Sequence, residues 1–185
     1  MTVGSPRTRK WVPRSRMRNT HSMTPIITRP GGGARSETVR IRRATARDAK
    51  RLTRLVRTSR AYEGPYAAMV AGYRVGPDYI ETHQVFAAIE PGTDRLLGFY
   101  SLILAPPELD LMFVADDAQG LGIGRLLIGH LRDEAQRAGL PGVRIVSHPP
   151  AEGFYRSVGA RRTGTLAANP PAVMWDRPEL VLPIA

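Results

Sequence analysis

Three glycines stand at alternate positions of the stretch QGLGIGR, residues 119–125, directly before the apolar pattern of a helix. The first turn of a helix presents N–H groups without partners inside the helix, and the helix dipole adds partial positive charge there. Glycines also let an anionic ligand come close to the backbone. The three glycines and their spacing before a helix therefore indicate a loop that binds phosphate.

The spacing excludes two common phosphate loops. A P-loop ends in Gly-Lys-Ser/Thr, whereas Gly124 is followed by Arg125 and Leu126. A dinucleotide loop has the pattern G-x-G-x-x-G and an acid at the end of the next strand, but the strand predicted over 143–147 ends without one. The loop alone predicts only a ligand that contains phosphate, and an ordinary glycine-rich turn remains an alternative.

The loop needs a strand before it and a helix after it, and the sequence predicts both. ELDLMFV, residues 108–114, alternates as a strand. We expect one face to carry Leu109, Leu111 and Phe113, and the other to carry Glu108, Asp110, Met112 and Val114. The helical period after the loop is stopped by Gly139 and Pro141.

The rest of the folded part predicts the element order β-α-β-β-β-α-β-α-β-β, a mixed sheet flanked by helices. A helix over 46–60 starts at a capping box formed by Thr45 and Asp48. The runs HQVFAAIE and RLLGFYSLIL are predicted to pair as an antiparallel hairpin, and two β-like stretches lie near 160–167 and 173–183. We interpret the connector near 61–82 as mobile with one short helical piece, and its four tyrosines as packing residues rather than pocket residues.

Composition sets the class of protein. The chain has 185 residues, of which 42% are hydrophobic, and it has no cysteine and four scattered histidines. This excludes disulfides, thiolate nucleophiles and thiolate metal sites, and we expect no metal centre. No apolar run is long enough to cross a bilayer and no secretory signal is apparent, so we expect a cytoplasmic protein without a membrane partner.

The net charge of +11 is concentrated at the N-terminus. Residues 1–35 hold eight basic residues and no acid, whereas the other 150 residues have a net charge of +3. We expect residues 1–36 to be a disordered basic leader and residues 37–185 to be one domain. The leader could be a transit peptide, a tether to nucleic acid or an extension without function, and we favour the last because Met17 and Met23 offer alternative starts.

Two motifs carry a resemblance to a known family. FVADDAQGLGIGRLL resembles the acetyl-CoA pyrophosphate loop of the GNAT superfamily of N-acetyltransferases, Gln/Arg-x-x-Gly-x-Gly/Ala after a strand. About 33 residues after Gly122, GFYRSVGA resembles the second signature of the family, Phe-Tyr-x-x-x-Gly-Phe, with Ala160 where an aromatic residue is usual. The matching residues are Gln119, Gly122, Gly124, Phe154, Tyr155 and Gly159. Strand order and motif spacing extend the likeness over about 38–183.

The resemblance implies a GNAT fold, an α/β fold of the α+β type with about seven strands in a mixed, mostly antiparallel sheet. It implies that backbone N–H groups of 119–125 bind the pyrophosphate, that main chain around Val114 orients the thioester at a local bulge, and that Tyr155 protonates the leaving thiolate. The acetyl-CoA-binding residues so implied are Met112, Phe113, Val114, Gln119, Gly120, Leu121, Gly122, Ile123, Gly124, Arg125 and Tyr155.

The general base is less defined. Glu108 and Asp110 share a predicted strand face with Val114, so either could take the proton of an incoming ammonium group. Asp110 is closer to the thioester, and Glu108 lies where the protein-lysine acetylating branch of the family keeps its glutamate. His83 and His148 are the next candidates.

The chain departs from the family pattern at two places. Asp116 stands where proline is common, and His148 stands where asparagine is common. We interpret Asp116 and Asp117 as capping residues, and we expect affinity for coenzyme A to depend on Arg125 and on backbone groups.

These observations predict an N-acetyltransferase that moves acetyl from acetyl-CoA to a primary amine of a small molecule by direct attack. The alternatives are a non-catalytic acyl-CoA-binding regulatory module, or a protein acetyltransferase acting on N-termini or lysines. Acceptor pockets of the fold lie near 61–82 and 166–174, where three acids, Glu63, Asp78 and Glu81, would suit a cationic amine such as a polyamine or an aminoglycoside. Nucleic acid is expected at most at the leader, and the resemblance implies a homodimer as one assembly.

Overall fold

The computed structural model describes residues 38–184, and the predictions about the basic leader lie outside them. Within this part the predicted order of elements is confirmed, with two short helices in the connector where we predicted one. The elements are β1 Arg40–Arg43, α1 Ala49–Thr58, α2 Ala67–Ala71, α3 Pro77–Thr82, β2 Gln84–Ile89, β3 Leu96–Leu104, β4 Pro107–Val114, α4 Ile123–Arg137, β5 Gly142–Val146, α5 Glu152–Ser157, β6 Arg161–Leu166 and β7 Arg177–Pro183.

The strands form one seven-stranded sheet in the order β1-β2-β3-β4-β5-β7-β6. All neighbours are antiparallel except β4 and β5, which are parallel and pair only at Glu108 with Arg144 and at Leu109 with Ile145. The C-terminal half of β4 therefore has no strand partner on the β5 side. A gap opens in the middle of the sheet, and it positions the site described below. The predicted fold class is confirmed.

Two apolar clusters cover the faces of the sheet. One joins the sheet to α4 and α5, and its members include Tyr100, Leu102, Leu127, Leu131, Ile145 and Leu180. The other joins the sheet to α1, α2 and α3, and its members include Leu52, Val56, Ile80, Val85, Phe99 and Phe113. Alternate residues of β2 and β3 enter opposite clusters, as the pleat of a strand requires.

Strand β4 contains a bulge at Asp110. Leu109 pairs with Leu102 of β3 and Leu111 pairs with Ser101, so Asp110 is an extra residue without a partner in β3. A bulge of this kind bends the strand and re-aims its side chains. The bulge implied near Val114 is thus four residues earlier than expected, because pairing from Leu111 to Val114 is regular.

The bulge also overturns the predicted alternation of β4. Leu109 packs into the α4 cluster together with Met112 and Val114, whereas Leu111 and Phe113 pack into the α1 cluster. The prediction that Leu109 shares a face with Leu111 and Phe113 is therefore wrong. One inserted residue exchanges the two faces because side chains alternate with a period of two.

The ends of several elements follow from local hydrogen bonds. The helix predicted over 46–60 is a short 3₁₀ turn followed by α1, and the carboxylate of Asp48 accepts the backbone N–H of Thr45 at 2.8 Å. The predicted hairpin of β2 and β3 is confirmed. Strand β7 starts at Arg177 rather than near 173.

Candidate active site

A cavity of about 680 Å³ lies at the gap between β4 and β5 and is lined from both faces of the sheet. Its walls are the second half of β4, the glycine loop with the start of α4, the segment from the end of β5 to α5, and residues of α1 and the connector. Because the sheet is open here, a ligand bound on the α4 side and a ligand bound on the α1 side can meet inside the gap.

The glycine loop lies at one end of this cavity. Gly120 and Gly122 have left-handed backbone conformations, with φ of +74° and +82°, which favour glycine. The first hydrogen bond of α4 runs from the N–H of Leu126 to the carbonyl of Gly122 at 3.0 Å. Within residues 38–184, the amide nitrogens of 120–125 have no hydrogen-bond acceptor. This set of free donors fits a pyrophosphate group.

Gly124 has a different role from the other two glycines. A Cβ at this position would lie 3.0 Å from Cζ of Phe154 and 3.6 Å from the terminal carbon of Met112. Gly124 therefore makes room for the Phe154 ring of α5, and it also lines the cavity, so its expected role in binding the ligand stays a prediction. Leu121 is exposed and its side chain lies off the cavity wall.

The two aspartates before the loop are not caps of α4, which has no side-chain cap. The carboxylate of Asp116 accepts the backbone N–H of Arg60, with distances of 3.2 and 3.3 Å, and the side-chain amide of Gln119 at 3.2 Å. Asp117 pairs with Arg95 at 2.5 Å. Our interpretation of these residues as caps is wrong: Asp116 joins the loop to the segment after α1, and Asp117 faces a cation.

The cation expected beside the loop is present. Arg125 lines the cavity and is exposed, and its guanidinium makes long contacts of 3.4 and 3.5 Å with the hydroxyl and the carbonyl of Ser157. The side chain is held weakly enough to turn toward an anion at the loop.

Tyr155 lies on the cavity wall with only 9% of its surface exposed. Burial raises the pKa of its phenol well above the ordinary value, so the group stays protonated at neutral pH. Its hydroxyl has no hydrogen-bond partner among the described residues, and its ring packs edge-on against Phe154, with centroids 5.3 Å apart. The site therefore holds a neutral phenol beside the gap, and its role as proton donor stays a prediction.

The bulge in β4 brings Asp110 to the cavity. The carboxylate is exposed and accepts a hydrogen bond from the Tyr79 hydroxyl, which also contacts the hydroxyl of Ser101. Burial, and then the bond to Asp110, raise the pKa of Tyr79 far above its usual range. Tyr79 therefore acts as a fixed donor that orients Asp110, a role that the sequence did not reveal.

Glu108 is placed differently. Its carboxylate pairs with Arg144 at 2.8 Å, Arg144 also pairs with Glu179 at 2.5 Å, and Glu108 does not line the cavity. The structure thus separates the two acids that we expected on one strand face, and only Asp110 reaches the cavity. Glu108 serves a bridge between β4, β5 and β7 instead.

Aromatic residues wall the opposite end of the cavity. Tyr62 and Tyr73 line it and also pack against the α1 cluster, so the prediction that the four tyrosines are not pocket residues is wrong for these two. Tyr66 and Tyr79 lie off the cavity wall, as predicted. His148 also lines the cavity, stacks on Tyr62 with ring centroids 4.4 Å apart, and has a pKa lowered by burial. A neutral imidazole is available there, whereas His83 packs against Tyr79 and lies outside the cavity.

One charged residue of this end was missed in the sequence. Arg177, at the start of β7, lines the cavity, whereas no residue of the expected loop 166–174 does. Glu63, Asp78 and Glu81 also lie off the cavity wall, so the predicted acidic acceptor pocket is not formed. No motif marks Arg177, because its place depends on how β7 pairs with β5 and β6.

The described residues contain no group of three or more potential metal ligands. They also contain no helix that is both long and apolar enough to span a membrane.

Comparison with known proteins gives one family and a common fold. Residues 77–168 match the family model described as an acetyltransferase (GNAT) domain, which includes β4, the glycine loop, α4 and Tyr155. No curated protein matches the sequence.

Solved structures match over most of the chain at low identity. A GCN5-related N-acetyltransferase from Rhodopseudomonas palustris has a TM-score of 0.68 and 17% identity, covering 82% of this chain and 99% of its own. A phosphinothricin acetyltransferase from Sinorhizobium meliloti, solved in complex with AcCoA, has a TM-score of 0.61 and 19% identity, covering 80% and 89%. The ribosomal-protein-S18-alanine N-acetyltransferase from Escherichia coli has a TM-score of 0.60 and 19% identity, covering 80% and 95%. These likenesses concern the fold.

Proposed function

The chain belongs to the GNAT superfamily of acyl-CoA N-acyltransferases, and from that premise we propose that it moves the acetyl group of acetyl-CoA to a primary amine of a small molecule. The observation that carries the proposal is the cavity at the gap between β4 and β5. It has free backbone donors at one end, an aromatic wall at the other, and Asp110 and Tyr155 on its surface.

The residues present fit coenzyme A. The free N–H groups of 120–125 and the side chain of Arg125 would hold the pyrophosphate, and unpaired backbone of β4 around Met112 and Val114 would hold the arm that carries the thioester. Acetyl-CoA supplies an activated acetyl group whose carbonyl carbon is open to attack by an amine.

The side chains of the cavity can move the protons of this reaction. The amine nitrogen forms a bond with the carbonyl carbon and the carbon–sulfur bond breaks, so one proton must leave nitrogen and the thiolate must gain one. Asp110 takes the first proton, directly or through water, and Tyr155 supplies the second. No covalent intermediate on the protein is required, which suits a chain without cysteine.

A small acceptor is favoured by the wall opposite the loop. Tyr62 stacks on His148 in this wall, and behind the wall Tyr66 packs edge-on against His148 and Trp175, with ring centroids 5.8 and 4.5 Å away. These packed rings leave a pocket suited to one compact amine rather than to an extended polypeptide.

The test is release of free thiol from acetyl-CoA in the presence of a panel of small amines. Tyr155→Phe should lower kcat by about a hundred-fold or more while the Kd for coenzyme A stays the same, because it removes only the proton donor. Tyr66→Phe is the matched control, since this ring lies off the cavity wall, and it should retain near-wild-type kcat. Bound coenzyme A without thiol release from any amine would instead support a non-catalytic acyl-CoA-binding module.

A further inference from the structure

Arg177 is the one half-buried arginine of residues 38–184 whose guanidinium has no acceptor among those residues. The other half-buried arginines all donate to carboxylates or carbonyls; they are Arg42, Arg43, Arg51, Arg132 and Arg144. Arg177 forms no ion pair with a described residue, and its Nε is buried without an acceptor. A buried donor without a partner is destabilising unless water or a ligand supplies the acceptor, and a carboxylate is a stronger acceptor for a guanidinium than water is.

A second unpaired donor lies two residues earlier. The indole Nε1 of Trp175 is also buried without an acceptor among the described residues. Trp175 packs on Tyr66, which packs on His148 of the cavity wall. The N–H of Ser147 bonds to the carbonyl of Pro178 at 2.9 Å, which fixes the end of β5 against the start of β7. Arg177 therefore lines the acceptor end of the cavity, whereas Trp175 lies behind Tyr66 and off the cavity wall.

The charges of the cavity limit the class of acceptor that it can bind. Among the residues that line it, Asp110 is the one carboxylate, and Arg125 and Arg177 are the two cations. Arg125 is beside the glycine loop, where coenzyme A phosphates are proposed to bind. Arg177 remains at the acceptor end, where it would repel a second cationic group of a polyamine and attract an anionic one.

We propose that the acceptor is an amine that also carries a carboxylate, an amino-acid-type substrate. Its carboxylate is bound by the guanidinium of Arg177, and its amino group is directed toward Asp110; both residues line the same cavity. A planar guanidinium suits a carboxylate in shape and charge. This inference rests on the proposed function and specifies the substrate class for the same site.

The experiment compares matched acceptors that differ only in the carboxylate: phenylalanine with phenethylamine, tryptophan with tryptamine, and lysine with cadaverine. At least one amino acid should exceed its decarboxylated partner by about ten-fold or more in kcat/KM. Arg177→Met should lower kcat/KM for that amino acid by about ten- to a hundred-fold, chiefly by raising KM. For the decarboxylated partner, kcat/KM of the variant should stay within about two-fold of the wild-type value. Arg177→Lys should recover part of the loss.

The control is Arg161→Met, since Arg161 is an exposed residue of β6 that lies off the cavity. It should leave kcat/KM unchanged for the amino acid and for its decarboxylated partner. Arg177→Met, Arg177→Lys and Arg161→Met should all keep the wild-type Kd for coenzyme A. A wild-type protein that prefers the decarboxylated amines would overturn the inference while leaving the acetyltransferase activity intact. An amino-acid preference that survives in Arg177→Met would overturn it too.

A binding measurement tests the anion subsite even if the protein acetylates no amine. If no amine is acetylated, binding of the amino acids to protein saturated with coenzyme A is measured by calorimetry. Binding that weakens about ten-fold or more in Arg177→Met and not in Arg161→Met supports the anion subsite without turnover. Equal affinity in all three proteins, or no binding to any, overturns it.

Discussion

The substitution Gly122→Ala tests whether the left-handed turn before α4 is needed for coenzyme A. A Cβ at Gly122 meets no described atom within 4 Å, so the change adds no steric clash. Its φ of +82° lies in the left-handed region, however, where an alanine costs about 1–2 kcal/mol relative to its preferred conformations. The penalty is thus conformational alone.

Where this penalty appears depends on how firmly the free loop is held. The backbone donors of 120–125 have no partners in the described chain, so in the absence of ligand the loop of the variant can relax toward negative φ. Binding must then restore the left-handed turn, and the cost moves from folding to binding. A cost of about 1–2 kcal/mol corresponds to a Kd for coenzyme A about five- to thirty-fold higher.

Titration calorimetry with coenzyme A measures the Kd, and urea unfolding measures the free energy of unfolding of the same variant. Gly129→Ala is the matched control, because Gly129 lies within α4 and a Cβ there also meets nothing within 4 Å. Alanine should stabilise this helix by up to about 1 kcal/mol without changing the Kd. An unchanged Kd in Gly122→Ala would refute the reasoning that the ligand requires the left-handed turn.

Three further outcomes are expected. Asp110→Asn should lower kcat/KM for the amine by about a hundred-fold or more in steady-state assays, whereas Tyr79→Phe, which keeps the carboxylate, should have a much smaller effect. Burial lowers the pKa of His130 to about 4, so between pH 6.5 and 4 the unfolded chain binds a proton that the fold excludes. As the pH is lowered over that interval, the free energy of unfolding measured in urea should therefore decrease by on the order of 3 kcal/mol. The variant His130→Gln should not show this decrease. Gly98→Ala would put a Cβ 2.7 Å from a backbone carbonyl oxygen of β4, and it should lower the free energy of unfolding by about 1–3 kcal/mol in the same assay.

Local patterns were sufficient to predict the elements and their order. The apolar period after the glycine loop, the stop at Gly139 and the β-rich runs of the hairpin reflect short-range preferences that each segment carries alone. The phosphate loop was predictable for the same reason, because the first turn of a helix exposes free N–H groups whatever the rest of the chain does.

The bulge at Asp110 was not predictable in this way. A bulge depends on which residue of β3 faces which residue of β4, and the sequence of β4 alternates without interruption. From that alternation Glu108 and Asp110 appear equivalent, yet one is paired with Arg144 and the other reaches the cavity. The difference arises from pairing between strands rather than from either strand.

Residues brought from distant parts of the chain were missed for a related reason. Arg177 and Tyr79 reach the site only after β7 joins β5 and after α3 packs on β3, so no local spacing marks them. The role of Gly124 in admitting the Phe154 ring likewise appears only when α5 packs on α4.

The bond between Asp116 and the backbone N–H of Arg60 has a thermodynamic consequence. It connects the glycine loop to the segment that continues into the aromatic wall. A ligand that orders one end of the cavity therefore also changes the mobility of the other end. Linkage requires that whatever factor coenzyme A imposes on acceptor affinity, the acceptor imposes on coenzyme A. Loss of that shared factor in Asp116→Ala, with both single-ligand affinities retained, would show that this one carboxylate carries the coupling between the two ends of the cavity.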